Sequence, residues 1–199
     1  MPPASTPMDL AIAAAAAKVA GDPVAGRKRA ADCASCHGAQ GISPNDTWPN
    51  LAGQSAAYLA RILAAYKSGD QKDVAMTPLA QALSDADIQN LAAYYGSLSC
   101  AAAPSGAPVG DAAVGKILAK NCTACHGETG ISSNPAWPSI AGQSAGYLTN
   151  VLKAFRAGLR KDPMMAGVTR ALSDADIANL AAYYAAQNCR PATQGRGTP

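Results

Sequence analysis

Aromatic residues are scarce in this chain: they make up 5% of its 199 residues, with a single Phe. Alanine dominates the 49% that is hydrophobic, so side chains alone build a thin core and something else is needed to fill it. Charge is scarce as well. Charged residues make up 15% and the formal net charge is +3, too mild and too evenly spread for a nucleic-acid binder. Long apolar runs are missing. The longest, Leu10 to Ala17, ends at Lys18, well short of the roughly 18–20 residues of a membrane span. No triplet glycine repeat exists, which excludes a collagen. The overall balance remains that of a globular chain, and at roughly 150 residues per domain the length allows one large domain or two small ones. Histidine is the scarcest informative residue: there are two.

Both histidines close the same motif. Cys33-Ala34-Ser35-Cys36-His37 and Cys122-Thr123-Ala124-Cys125-His126 are two copies of Cys-x-x-Cys-His, the attachment signature of c-type haem. The spacing follows from the chemistry. Two thiols add across the two vinyl groups of one porphyrin, and the next residue brings an imidazole nitrogen to the iron. A thiol redox pair would sit in a βαβ context, and no strand pattern is present. A zinc site would need fewer ligands than the two clusters offer.

The motifs belong to an internal repeat. The shift that carries His37 onto His126 overlays Val24–Cys100 on Ala113–Cys189 without a gap, with about half the positions identical. Trp48-Pro49 falls on Trp137-Pro138, and Ala52-Gly53-Gln54-Ser55-Ala56 on Ala141-Gly142-Gln143-Ser144-Ala145. The Leu83–Ile88 and Tyr94-Tyr95 segments recur at Leu172–Ile177 and Tyr183-Tyr184. The expected organisation is an N-terminal extension (1–20), a first haem domain (21–100), a Pro/Gly/Ser linker (101–110), a second haem domain (111–190) and a loose tail (191–199).

Each repeat reads as helical. Asp22-Pro23 opens a helix that runs into Cys33. Ser55 caps a second helix closed by Gly69, and its copy runs from Ser144 to Gly158. Ser84-Asp85-Ala86-Asp87 resembles a capping box with Asp in place of Glu, and Ser173 begins its copy. Ile88, Leu91 and Tyr95 follow at helical spacing. With no His remaining, Met is the candidate for the iron's other face. Met76 and Met165 hold equivalent positions in the repeats, at the same distance after His37 and His126, where each is expected in a loop able to fold over a haem. The neighbouring Met164 aligns with Ala75.

These features resemble the dihaem cytochrome c4 family over about Gly21 to Cys189. The repeated Trp-Pro-x-(Leu/Ile)-Ala-Gly-Gln and Leu-Ser-Asp-x-Asp-Ile-x-x-Leu-Ala-Ala-Tyr-Tyr blocks carry the resemblance beyond the haem motifs. It implies an all-α chain of two tandem class I cytochrome c domains, each with one covalent haem c, related by a pseudo-twofold axis with haem propionates approaching across the interface. By the same resemblance Cys33, Cys36, Cys122 and Cys125 attach the haems, while His37 with Met76 and His126 with Met165 ligate the irons. The Pro49 and Pro138 carbonyls then accept the hydrogen bond from the other imidazole nitrogen, and Leu51 and Ile140 pack on the haem. Trp48 and Trp137 are candidates for the propionate side, with plain core packing as the alternative.

The chain departs from the family pattern in two places. Cys100 and Cys189 occupy equivalent positions at the ends of the last helices, surplus to haem attachment and away from the axial-ligand position. One disulfide, pairing with another chain, and free thiols all remain open. Met1–Ala20 is Ala-rich without a basic start, a poor secretory signal. Asp9 to Ala20 reads as an extra helix, a residual leader or an added segment. The function implied is a periplasmic electron carrier. It would pass electrons from a quinol-oxidising complex or dehydrogenase to a terminal oxidase, with no nucleic-acid partner, no membrane span and at most peripheral membrane association. The alternatives are a dihaem subunit of a flavocytochrome c sulfide dehydrogenase and a dihaem enzyme, a peroxidase or a thiosulfate dehydrogenase.

Overall fold

The computed structural model describes residues 20–101 and 109–189, and every regular element among them is helical. The extension, most of the linker and the tail expected from the sequence lie outside the described residues. The first repeat contains α1 (Pro23–Arg29), a 3-10 turn (Ala30–Cys33), α2 (Ala34–His37), α3 (Ala56–Ser68), α4 (Met76–Gln81) and α5 (Asp85–Ser97). The second contains α6 (Ala112–Leu118), a 3-10 turn (Ala119–Asn121), α7 (Thr123–His126), α8 (Ala145–Arg156), α9 (Pro163–Thr169) and α10 (Asp174–Ala185).

The helix starts are those the sequence announces. Asp22 and Asp111 accept hydrogen bonds from the first N–H groups of α1 and α6. Both capping boxes form: Ser84 and Asp87 bond reciprocally at the head of α5, and Ser173 and Asp176 at the head of α10. Gly69, in the left-handed region at φ 83°, ends α3. One expectation fails at α8. Ser144 occupies the cap position, but its hydroxyl makes no bond to the helix and instead donates to the Trp48 carbonyl of the other repeat, 3.4 Å away. The helix's open N–H groups are met by Asp46: Gly146 N–H donates to its carboxylate and Tyr147 N–H to its carbonyl, each at 2.8 Å. The cap of α8 thus comes from the first repeat.

Within each repeat the first and last helices cross closely. A Cβ at Gly26 would collide with the Asn90 carbonyl, and one at Gly115 with the Asn179 carbonyl, so these crossings need glycine. The enclosed cores are made of small and medium side chains. Ala30, Leu59, Ala60, Ile88, Leu91, Ala92 and Tyr95 are buried in the first, with Cys33, Leu51 and Leu63 packed against them. Ala119, Leu148, Leu180, Ala181 and Tyr184 are buried in the second, beside Cys122, Ile140 and Leu152. The first cysteine of each motif therefore sits at the rim of its core.

The repeats are joined by side chain-to-backbone bonds that obey the repeat symmetry. Gln143 accepts from Asn50 N–H (2.8 Å) and donates to its carbonyl (3.0 Å). Gln54 accepts from Ser139 N–H (2.9 Å) and donates to its carbonyl (2.8 Å). Beside this network Cys100 and Cys189 form a disulfide, with Cα atoms 6.1 Å apart. Of the three states the sequence left open, the structure has the intrachain bridge.

Candidate functional site

Cys33 ends the 3-10 turn after α1 and Cys122 directly follows the one after α6, while Cys36 and Cys125 lie on the short helices α2 and α7; all four are half-buried and outside any disulfide. The chain reverses directly after each histidine at a glycine of positive φ, 77° at Gly38 and 78° at Gly127, where a Cβ would strike the Ile42 or Ile131 carbonyl. This reversal returns the following loop beneath the imidazole. His37 is 7% exposed and its Nδ1 donates to the Pro49 carbonyl at 3.0 Å. His126 is 8% exposed and bonds Pro138 in the same way at 2.8 Å. Burial pushes both imidazoles below the ordinary histidine range, against the opposing pull of those carbonyls. The rings are thus held neutral, with Nδ1 engaged and Nε2 left for a metal.

Sequence reasoning missed two groups beside each motif. Ser43 Oγ donates to the Cys36 carbonyl at 2.9 Å and accepts from Asn45 N–H at 3.1 Å. Ser132 does the same with Cys125 and Asn134. Each ties the motif helix to the loop carrying the proline. Both serines are identical in the repeat, the signal that could have singled them out. The phenols of Tyr95 and Tyr184 face the sulfurs of Cys33 and Cys122, and burial raises both phenols and both thiols above their usual ranges. Among the described residues, the buried Tyr184 Oη has no polar partner beyond the Cys122 sulfur it faces.

The remaining expected residues are distributed as follows. Leu51 and Ile140 pack against the two cores. Trp48 is 40% exposed, so its ring is not a core residue. Its carbonyl takes part in the interface, and Trp137 is half-buried. Met76 and Met165 are half-buried, and Met164 is 67% exposed. Neither Met76 nor Met165 is in a loop, contrary to expectation. Met76 begins α4 and Met165 lies in the first turn of α9. The aspartate three residues earlier accepts from each methionine's N–H, Asp73 at 2.9 Å and Asp162 at 3.1 Å, and Asp162 is the cap of α9.

Between the repeats lies a cation that makes no ion pair among the described residues. The Arg160 guanidinium, largely buried, donates to Tyr147 Oη (3.2 Å) and to Tyr58 Oη (3.1 Å), one from each repeat. Burial pulls it down, but its phenol partners outweigh that and hold it above its ordinary range, while burial pushes Tyr58 up to about 12. The donor set fits a haem c in each repeat, with two thiols outside any disulfide and a buried neutral imidazole with one nitrogen engaged, and between the repeats stands one guanidinium suited to carboxylates.

Comparison with known proteins agrees. The cytochrome c family model matches residues 24–99 and again 112–186. The chain is 36% identical to cytochrome c4 of Pseudomonas aeruginosa over 179 residues, covering 84% of this chain and 89% of that one. It is 38% identical to a thiosulfate dehydrogenase electron acceptor of Stutzerimonas stutzeri over 170 residues, 77% of each chain. Its fold matches the crystal structure of reduced recombinant cytochrome c4 from Pseudomonas stutzeri with a TM-score of 0.76 at 33% identity, covering 85% of this chain and all of the other. The duplicated sites, the two family matches and these relatives together make the chain a member of the cytochrome c family, in its dihaem cytochrome c4 branch, with two covalently bound haem c groups.

Proposed function

We propose that this protein is a periplasmic electron carrier in which Cys33 and Cys36 attach one haem c and Cys122 and Cys125 the other. His37 with Met76, and His126 with Met165, would hold the two irons. Haem c supplies a one-electron iron couple that needs no open coordination site. The chain's own residues do the rest. Pro49 and Pro138 fix each imidazole in one tautomer and orientation. Ser43 and Ser132 fix the loops bearing those carbonyls, and the two small-residue cores exclude water. The observation that carries the reading is the buried, Nδ1-engaged histidine present in both repeats. An electron carrier needs ligands that stay in place in both oxidation states.

The donor is a quinol-oxidising complex or dehydrogenase and the acceptor a terminal oxidase. The test is oxidation of the reduced, purified protein by oxidase-containing membranes. Rapid and complete oxidation of both haems is expected, and turnover limited to one haem, or none, would contradict it. A second reading is favoured by one relative. A protein named as a thiosulfate dehydrogenase electron acceptor is 38% identical, so this chain is also a candidate acceptor of electrons from thiosulfate oxidation. Reduction of the holoprotein by such a dehydrogenase plus thiosulfate, and not by thiosulfate alone, would support that donor and speak against catalysis by this chain itself.

A further inference from the structure

The two interface glutamines are placed for more than adhesion. Pro49 C=O and Asn50 N–H are the two ends of one peptide group. The carbonyl end accepts from His37 Nδ1 (3.0 Å) and the N–H end donates to Gln143 Oε1 (2.8 Å). In the other repeat Pro138 C=O accepts from His126 Nδ1 (2.8 Å), and Ser139 N–H of the same peptide donates to Gln54 Oε1 (2.9 Å). Each domain's glutamine is thus one peptide group away from the other domain's histidine. Within its own domain the backbone of the loop is held by the next two residues, since Leu51 and Ala52 N–H donate to the Gly41 carbonyl and Ile140 and Ala141 N–H to that of Gly130, while the Asn50 and Ser139 side chains accept from Ser43 and Ser132 N–H; the Asn50 and Ser139 N–H groups themselves go to the opposite domain's glutamine.

We propose that Gln54 and Gln143 are trans-domain positioning residues, each setting the hydrogen bond, and so the donor strength, of the proximal histidine in the opposite domain. This rests on the reading that His37 and His126 are the iron ligands. The physical basis is cooperative polarisation. An acceptor on a peptide N–H makes its carbonyl a better acceptor, by about 10–30% per bond in a chain of hydrogen bonds. A stronger bond at Nδ1 makes the imidazole more electron-donating at Nε2, which favours the oxidised iron. Loss of the glutamine weakens the bond, favours the reduced iron and raises that haem's potential. The arrangement gives each haem a potential that depends on the interface being closed.

The test uses the holoprotein with nitrogen-15-labelled histidine. In Gln143→Met, exchange of His37 Nδ1–H with solvent should quicken by about fivefold, and the midpoint potential of the haem on Cys33 and Cys36 should rise. His126 and its haem should stay close to wild type. Gln54→Met should do the converse. Gln143→Asn, which keeps an amide but falls one methylene short of Asn50, carries the test if Gln143→Met assembles poorly. Ser55→Ala, which removes another cross-domain bond, to the Pro135 carbonyl, should leave both imidazole protons unchanged. Equal changes at both histidines, a change confined to the variant's own domain, or no change in a fully haem-loaded variant would overturn the proposal. The ligand assignment fails separately. Wild-type imidazole resonances without the shifts of an iron-bound ring would overturn it whatever the glutamine variants do.

Discussion

A buried histidine in this chain is useful only while one nitrogen is spoken for, and that condition was readable in part. The motif names His37 and His126 outright, and the Trp-Pro pairs mark the residues whose carbonyls the structure sets against them. Arg160 was not readable. It aligns with Gln71, so the repeat gives no signal, and its partners Tyr58 and Tyr147 meet it only because the domains fold together. Replacing Arg160 by Gln, the first repeat's residue, leaves two half-buried phenols short of a donor. A stability loss of about 1–3 kcal/mol is expected, measured by denaturant unfolding of the holoprotein. Arg160→Lys should recover less than half of it, since one ammonium on a flexible stem does not reproduce the guanidinium's planar fork. Full stability in Arg160→Gln would show the cluster to be incidental.

At the scale of the helix, what was legible was local. Asp22, Ser84 and Ser173 cap their helices through side chains two or three residues away, and short-range chemistry can be read from short-range sequence. Ser144 looked identical to Ser55 and is not used in the same way, because Asp46 of the other domain reaches α8 first. The methionine helices α4 and α9 are illegible for a related reason: each is too short to show a periodic pattern. Two outcomes follow for single substitutions. Ser84→Ala and Ser173→Ala should each cost about 1 kcal/mol, whereas Ser144→Ala should cost clearly less and Asp46→Ala more, by thermal unfolding of the same holoprotein. The capping-box contribution also depends on pH. Hydrogen bonds from Ser84 and Ser173 hold Asp87 and Asp176 below the ordinary carboxylate range. Their stabilisation is complete above the unfolded-state carboxylate pKa and is lost as pH falls through the lowered folded value. Ser84→Ala should therefore cost less in acid than at neutral pH, and an equal cost at both would contradict the box.

Across the whole molecule, the duplication made two domains obvious and left their junction open, because interface partners such as Gln143 and Asn50 are far apart in the chain. The Cys100–Cys189 bridge illustrates this: equivalent positions in a repeat say nothing about distance until a near-twofold arrangement brings them together. Closing so long a loop constrains the unfolded chain, and Cys100→Ser with Cys189→Ser should lose about 2–4 kcal/mol, seen as a lower unfolding temperature with both haems still attached. Net charge makes a different prediction. The chain carries +3, and the propionates of two haems bring the holoprotein close to neutral, so whole-molecule steering of partners is weak. Turnover with the physiological partner should fall only gently between low and moderate salt. A steep collapse would point to a strong local patch instead.

The central claim is that both irons are held by one histidine and one methionine, as a carrier requires and an enzyme with an open position does not. The near-infrared spectrum of the oxidised holoprotein, recorded with its electron paramagnetic resonance spectrum, tests this most directly. The account predicts two low-spin centres and a sulfur-to-iron band that Met76→Ala and Met165→Ala each reduce by the share of one haem, the other haem being unaffected. A high-spin centre in the wild type, or a band that survives either substitution at full intensity, would contradict it.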